Sequence, residues 1–469
     1  MKLKSLIFTT AAALCVASSA FAVTWEQISP FSAEDLWLLK QAKSLIEKYQ
    51  VDGENSDVDE RAKVHGALRG LVNSFNDPYT RFVTPTELED EELNTEGKYG
   101  GIGLTVSERD GQIIAVSPTD DTPAWHAGFR PNDQIIKVND EVVVGQKLTE
   151  VVRKLRGEPG TKVTVWVRRE GEDELLEMPM TREEIMLESV KSTLLPQDKE
   201  VGYIRISQFI ATTTQDFEKA LDELLAKKVK ALVIDLRNNG GGLLQAATDI
   251  CDFFLNDGPI LETRGRVAVA NEKYTAKAGV KTDLPLVILV NEGTASASEI
   301  LSGALRDRGR ALLVGDKTFG KGSVQTLFHL NDASGIYITI ARYFTPGGER
   351  IDHVGLMPNH QVKLPDPEPL TKEEKEQRKK DQAAYDALTK EERKEENRRR
   401  WLKSLSEDPQ LEAALKDAHR LMKGETIDQI APYTPKPTEE DGEKVAATET
   451  QDLPPTTESE AVEVEKEGN

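Results

Sequence analysis

Apolar positions near the start of the chain recur every three to four residues, which is the spacing of an amphipathic helix. Two such stretches run over residues 34–49 and 57–75. The sequence Asn76-Asp77-Pro78 then favours a turn, because proline cannot continue the hydrogen bonding of a helix. The pattern predicts a helical N-terminal region over residues 23–94, and no residue in it indicates chemistry.

Over residues 95–182 the pattern changes to short β-branched runs separated by glycine, asparagine, aspartate and proline. A strand is predicted over residues 102–106 and one short helix over residues 149–155. The glycine-rich turns between short strands predict a compact β-rich domain.

Residues 183–365 alternate strand-like and helix-like stretches. The runs 231–236 and 286–290 have almost no polar positions, which suits strands of a sheet that is covered on both sides. Helices are predicted between these strands, over residues 213–224 and 241–255. The sequence therefore predicts an α/β core, so the fold class of the chain is multidomain α/β.

The end of the chain is dominated by charge. Lysine, glutamate and arginine prevail over residues 366–425, which predicts a charged helical segment. Residues 426–469 are rich in proline, threonine and glutamate, with little apolar surface to bury. They are predicted to be a disordered acidic tail.

Composition narrows the function. The formal net charge is -21, so nucleic acid and anionic membranes are poor partners. A positive start, an apolar run over residues 6–16 and the sequence Ala20-Phe21-Ala22 predict a signal peptide over residues 1–22. A transmembrane anchor is the alternative, but the apolar run is short for a span. We expect an exported protein, in the periplasm or another extracytoplasmic space, and leave membrane association open.

Cysteine and histidine argue against metal or disulfide chemistry. Removal of residues 1–22 would leave Cys251, which lies in an apolar stretch and is predicted to be buried rather than nucleophilic. The histidines are scattered without the helical spacing of a zinc site. We therefore expect no metal and no cofactor.

The segment around Ser296 has the pattern of a buried strand, a glycine-containing turn and a helix start. Backbone N–H groups at a helix N-terminus favour negative charge, so this is a good place for a nucleophile. Helix capping is the alternative, because Ser296 and Glu299 have the spacing of a capping box.

Lys321 lies between two glycines, Gly320 and Gly322, after another predicted strand. A lysine held away from solvent has a lowered pKa and can act as a general base for a serine hydroxyl. A solvated or anion-binding lysine is the alternative, and Lys317 beside Asp316 has that character. A third motif, Arg237-Asn238-Asn239-Gly240-Gly241-Gly242, can form an anion-binding turn, although plain turns look similar.

Along the chain the glycine motif comes first, then the segment around Ser296, then the loop around Lys321. The three motifs in that order resemble the C-terminal processing (tail-specific) serine peptidases over about residues 55–362. The resemblance implies a Ser-Lys protease core of mixed sheet and helices, similar to crotonase and ClpP. It implies a nucleophile, a general base and a residue that orients the base, at Ser296, Lys321 and Gln325. It also implies an oxyanion hole formed by Ala297 and one of Gly240 and Gly241.

The resemblance further identifies residues 95–182 as a PDZ domain, with helical segments before and after the two domains. The carboxylate-binding loop would be formed by Gly101, Ile102, Gly103 and Leu104, beside a strand that accepts a peptide by strand addition. An ordinary glycine turn is the alternative. Arg156 matches a position that couples peptide binding to activation in some members.

The resulting hypothesis is a secreted endopeptidase that binds substrate C-termini through its PDZ domain. The expected partners are proteins or peptides with accessible C-termini, and an adaptor protein and a homo-oligomer are left open. The main alternative is a catalytically silent PDZ-containing binding or scaffold protein. Another Ser–Lys hydrolase is a weaker alternative, because the Ser-x-x-Lys spacing is absent around Ser296.

Overall fold

The structure is a computed structural model of the 469-residue chain. It describes residues 32–51, 59–109, 111–119, 121–130, 132–169, 171–364, 371, 373, 377, 380–381, 384–385 and 388–433. The predicted signal peptide and residues 434–469 of the predicted tail lie outside the described residues. Among the helices described, none combines the length and apolar character needed to cross a membrane.

The described residues of the N-terminal region form three helices and one strand: α1 (Ala33–Tyr49), α2 (Glu60–Asn73), β1 (Arg81–Val83) and α3 (Pro85–Glu96). The prediction of a purely helical region is therefore wrong at β1. This strand forms because Phe82 and Val83 are buried and because its backbone pairs antiparallel with residues 335–337, far along the chain. Helical periodicity cannot reveal such a pairing, because its partner is remote in sequence.

A β-rich domain follows. Its elements are β2 (Lys98–Gly101), β3 (Leu104–Arg109), β4 (Gln112–Pro118), α4 (Pro123–His126), β5 (Gln134–Val138), β6 (Glu141–Val142), α5 (Leu148–Leu155), β7 (Lys162–Arg168) and β8 (Leu176–Thr181). The sheet order is β3-β4-β5-β7-β8, so β3 is an edge strand. The predicted strand over residues 102–106 is interrupted, because Gly103 has a φ of +70° and separates β2 from β3.

The α/β core supplies the remaining strands. Its elements are β9 (Glu183–Met186), β10 (Val190–Leu195), β11 (Asp198–Ile206), α6 (Thr213–Ala226), β12 (Ala231–Asp235), α7 (Leu244–Asp252), β13 (Pro259–Gly265), β14 (Lys273–Thr275), β15 (Leu286–Val290), α8 (Ala297–Asp307), β16 (Leu312–Gly315), β17 (Ser323–His329), β18 (Gly335–Phe344) and β19 (His360–Gln361). The short strand β9 pairs with β2 and so ties the β-rich domain to the core.

Two sheets organise the core. The first has the order β10-β11-β12-β15-β16-β19, and its strands from β11 to β19 run parallel. The second is antiparallel and joins β1, β13, β14, β17 and β18. Helices α6, α7 and α8 cover one face of the first sheet, where Phe217, Leu221 and Leu301 are fully buried. Both faces of β12 and β15 are buried, as their apolar runs predict.

The opposite face is covered by helices of the C-terminal part of the chain. Those that the structure describes in full are α9 (Lys390–Ser406), α10 (Pro409–Met422) and α11 (Ile427–Ile430). Leu411 and Ala414 of α10 are fully buried against this sheet. The described part of the predicted charged segment thus contains the expected helices, and it also supplies core residues. The prediction of disorder from residue 426 onwards is wrong for α11, because Ile427 and Ile430 pack onto the same apolar cluster.

Candidate active site

The three sequence motifs meet at one edge of the parallel sheet. Strands β12, β15 and β16 are neighbours, and each is followed by one of the motifs. Because parallel strands end at the same edge, the turns after them face a common space. The sheet therefore brings together three motifs that are separate in the sequence.

Ser296 occupies a strained position between β15 and α8. Its φ is +57°, an unusual angle for a residue with a side chain, and the next residue begins the helix. A sharp strand-to-helix turn of this kind presents a serine hydroxyl above the sheet edge. A Cβ atom on Gly241 would lie 2.8 Å from the Ser296 Cβ atom, so the turn after β12 approaches this closely only with glycine.

Glu299 connects the serine turn with the lysine loop. One of its oxygens, Oε2, accepts hydrogen bonds from the backbone N–H groups of Ser296 at 2.9 Å and of Lys321 at 2.9 Å. Its other oxygen accepts from Gly320 N–H at 2.8 Å and from the Thr318 hydroxyl. Burial raises the pKa of this carboxyl, which is fully buried. Glu299 therefore holds the two predicted catalytic residues together through their backbones.

Lys321 is half-buried at the same place. Its Nζ atom lies 5.0 Å from the centre of the Tyr79 ring. Burial, followed by the positive charge of Arg81, lowers the pKa of Lys321. Within the described part of the chain, no hydrogen bond reaches the amine of Lys321.

Gln325 lies on β17, next to the lysine loop. Its amide nitrogen donates to Ser323 Oγ at 2.9 Å and to Thr339 Oγ1 at 3.2 Å. The described residues show no hydrogen bond between Gln325 and Lys321, so orientation of the amine by Gln325 stays a prediction.

The turn after β12 is held by Asn239, which is fully buried. Its side-chain oxygen accepts from Gly241 N–H at 2.9 Å, so that N–H is already engaged. Among the hydrogen bonds of the described residues, none is donated by the N–H groups of Gly240 and Ala297. Ser298 is fully buried and donates to Asn239 O at 2.9 Å, which leaves Ser296 as the accessible serine of the pair.

Comparison with known proteins identifies the family. Residues 200–362 match Peptidase family S41 and residues 114–169 match a PDZ domain. The carboxy-terminal-processing protease of Bartonella bacilliformis is 38% identical over 315 residues, covering 66% of this chain and 72% of the relative. The chain belongs to peptidase family S41.

Two further proteins are similar to this chain. The carboxy-terminal processing protease CtpB of Bacillus subtilis is 37% identical over 330 residues, covering 70% of this chain and 68% of the relative. A solved structure of the photosystem II D1 C-terminal processing protease is 31% identical, covers 73% of this chain and 96% of its own, and has a TM-score of 0.44. The two family matches and the relatives named as processing proteases confirm the predicted multidomain α/β fold with a protease core and a PDZ domain, and the prediction of a peptidase.

The PDZ domain of this S41 peptidase has an open strand edge. Strand β3 pairs with β4 on one side, and α5 packs near it. Gly103 lies at the start of this edge, and a Cβ atom there would lie 2.3 Å from the Thr122 Cβ atom. The guanidinium of Arg156 lies 4.8 Å from the Tyr99 ring and 3.6 Å from the Asp90 carboxylate of α3. The predicted loop and Arg156 therefore lie at one end of the domain, next to the N-terminal region.

Sequence reasoning missed three contributors to the site. Tyr79 gave no signal, because it precedes a strand whose partner is remote. Glu299 was interpreted as a helix cap, and its contacts with residues 318–321 depend on the sheet order. The third is Asp408, whose carboxylate lies 2.6 Å from the Arg237 guanidinium and so links the C-terminal helices to the glycine turn.

One other sequence prediction concerns a residue away from this edge. Cys251 is fully buried, as predicted, and burial raises the pKa of its thiol. The described residues contain no group of three or more histidine, cysteine or acidic side chains that could hold a metal ion.

Proposed function

We propose that this S41 peptidase is a secreted serine endopeptidase that cleaves with a Ser296–Lys321 dyad. The observation that carries the proposal is the shared Glu299 oxygen, which accepts from the backbone N–H groups of both residues at 2.9 Å. It holds a strained serine beside a half-buried lysine whose pKa is lowered by burial.

In this mechanism the neutral amine of Lys321 takes the hydroxyl proton as Ser296 Oγ attacks the peptide carbonyl. The negative oxygen of the tetrahedral intermediate meets the N–H groups of Ala297 and Gly240, because the N–H of Gly241 bonds to Asn239. Collapse breaks the C–N bond, and the lysine returns the proton to the departing amine. Water then hydrolyses the acyl-enzyme by the same route in reverse order. Gln325 is proposed to orient the amine.

Substrates are proposed to be proteins or peptides with accessible C-termini. The edge strand β3 offers backbone groups for strand addition, and the loop from Gly101 to Leu104 offers N–H groups to a terminal carboxylate. The relatives named as carboxy-terminal processing proteases support the same substrate class. Secretion is proposed from residues 1–22, and an exported protein whose sequence begins at Val23 would be the check.

The test is cleavage of an unfolded protein by the wild type, Ser296→Ala and Lys321→Ala, with fragments read by mass spectrometry. We expect both variants to lose activity by a factor on the order of 10³ or more, since dyad members act as a unit. Lys317→Ala is the matched control, because Lys317 is exposed in the same loop. Wild-type turnover in folded Ser296→Ala would sink the assignment.

The pH dependence gives an independent check. Because burial lowers the pKa of Lys321, its neutral fraction increases as pH rises toward and through that pKa. We expect kcat/KM to rise with pH and to level off below the ordinary lysine value. A profile that is flat or falls between mildly acidic and mildly alkaline pH would contradict a lysine base. Lys321→Arg, which keeps the charge but does not deprotonate, should be inactive.

A further inference from the structure

A short N-terminal segment reaches the predicted general base. We call residues 76–83 the Tyr79 segment. The ring of Tyr79 lies 5.0 Å from Lys321 Nζ, although the two residues are far apart in sequence. The family match begins at residue 200, so this contact comes from outside the matched region.

The Tyr79 segment is fixed in place by its own turn and by β18. Asp77 accepts hydrogen bonds from Tyr79 N–H at 3.0 Å and from the Thr80 hydroxyl at 2.6 Å. The Thr80 oxygen in turn accepts from Thr339 N–H at 3.0 Å, and β1 then pairs with β18. Because Gln325 also donates to Thr339, the segment and the active-site strand share one anchoring residue. These hydrogen bonds therefore fix the position of Tyr79 next to Lys321.

We propose that Tyr79 is a positioning residue that covers the amine of Lys321 and excludes water from it, with Arg81 adding positive charge on the same side. This inference rests on the proposed role of Lys321 as general base. An aromatic face next to an amine limits the hydration of its charged form. By covering one side of the amine, the ring also limits the positions that the lysine side chain can take.

Several charged groups act on the amine, and their signs differ. Burial disfavours the charged ammonium form of Lys321, and so does the positive charge of Arg81 on β1. Attraction to the face of the Tyr79 ring favours it. The buried Glu299 and Asp352 carboxylates lie close enough to raise the pKa of the Tyr79 hydroxyl by their negative charge. Asp352 follows β18 and pairs with Arg342, so part of its charge is compensated. The net result is a lowered pKa of Lys321, with burial as the largest cause.

The experiment compares four variants: Tyr79→Ala, Tyr79→Phe, Arg81→Gln and the control Arg69→Gln. Arg69 is matched to Arg81, because each side chain is 44% exposed and pairs with a glutamate of α3, but Arg69 faces Phe82 instead of the lysine pocket. Two readouts are taken: the pH profile of kcat/KM, and the pH dependence of acetic anhydride labelling of Lys321, read by mass spectrometry. Labelling measures the pKa of the amine without any proteolysis.

We expect Tyr79→Ala to raise the pKa of Lys321. The neutral fraction of the amine, and with it kcat/KM at neutral pH, should then fall about tenfold. Tyr79→Phe should match the wild type, since it keeps the ring. Arg81→Gln should shift both readouts in the same direction by less, and Arg69→Gln should leave them unchanged.

The outcomes separate this inference from the proposed function. A wild-type labelling pKa in both Tyr79→Ala and Arg81→Gln, while Lys321→Ala is inactive, would overturn the inference alone. An equal loss in Tyr79→Phe and Tyr79→Ala would also overturn it, because the ring would then not matter. If Lys321→Ala keeps full activity, the proposed function fails, whereas labelling still reports whether Tyr79 and Arg81 lower the pKa of the amine. If Tyr79→Ala does not fold, an unchanged labelling pKa in Arg81→Gln overturns the inference.

Discussion

Helices α1 and α10 lie near opposite ends of the chain, and both carry apolar residues at helical spacing among many charges. Yet α1 buries none of its residues, and Leu38 is 61% exposed. In α10, Leu411 is fully buried against the parallel sheet. The difference does not come from helix capping, because each helix begins with a well-formed cap. It comes from the sheet face that α10 covers, for which α1 has no equivalent within the described residues.

The N-terminal region and the C-terminal helices also differ in how they contact the candidate active site. The N-terminal region contributes to the site through the Tyr79 segment, which touches the lysine loop. The C-terminal helices contribute through Asp408, which bonds to Arg237 ahead of the glycine turn. The N-terminal region contacts the Lys321 side chain, whereas the C-terminal helices support the backbone ahead of the glycine turn. Regions beyond the family match can therefore serve the same site in physically distinct ways.

The largest expected effect tests the burial difference. Replacing Leu411 by alanine removes buried methyl groups from α10 and should lower the free energy of unfolding by about 2–5 kcal/mol. The matched change Leu38→Ala in α1 should alter it by less than about 0.5 kcal/mol, because Leu38 is mostly exposed. Urea unfolding followed by circular dichroism measures both.

The same pair of variants can also break the comparison. A loss in Leu38→Ala as large as that in Leu411→Ala would show that α1 is buried against a partner in solution. Repeating the unfolding at several protein concentrations would then identify a second copy of the chain, because only association makes stability depend on concentration.

A smaller effect is expected at Asp408. Its carboxylate accepts from Arg237 at 2.6 Å and caps α10 by accepting from Gln410 N–H and Leu411 N–H. Asp408→Ala should cost about 2 kcal/mol of stability, since a cap and a charged hydrogen bond are lost while Arg237 keeps Asp235. Asp408→Asn keeps a capping oxygen and should cost less. Equal losses in urea unfolding would mean that the ion pair, not the cap, carries the effect.

The sequence predicted those parts of the architecture that depend on short-range patterns of residues. The apolar run at β15, the glycine turn after β12 and the helix after Ser296 all have short-range signals, and the structure contains each of them. The family motifs also placed Ser296 and Lys321 in loops, and the structure brings these loops together through Glu299. Short-range patterns were enough for these features, because the pairing of neighbouring parallel strands then brings the loops together.

The remaining features depend on contacts that no local pattern encodes. Strand β1 exists because of its pairing with β18, more than two hundred residues away. Tyr79 and Asp408 have ordinary sequence surroundings, and their partners were assigned to other regions. The engagement of Gly241 by Asn239 requires knowledge of the turn geometry, so the sequence left Gly240 and Gly241 equivalent.

The smallest expected effect concerns the contact between the N-terminal region and the PDZ domain. Asp90 of α3 bonds to Arg153 at 3.3 Å and lies 3.6 Å from Arg156, and all three side chains are partly exposed. Because solvent and salt screen such pairs, Asp90→Asn should change the free energy of unfolding by less than about 1 kcal/mol, and high salt should remove the difference. A larger or salt-independent loss would show that Asp90 anchors the PDZ domain. The N-terminal region would then be a structural support in the same sense as the C-terminal helices.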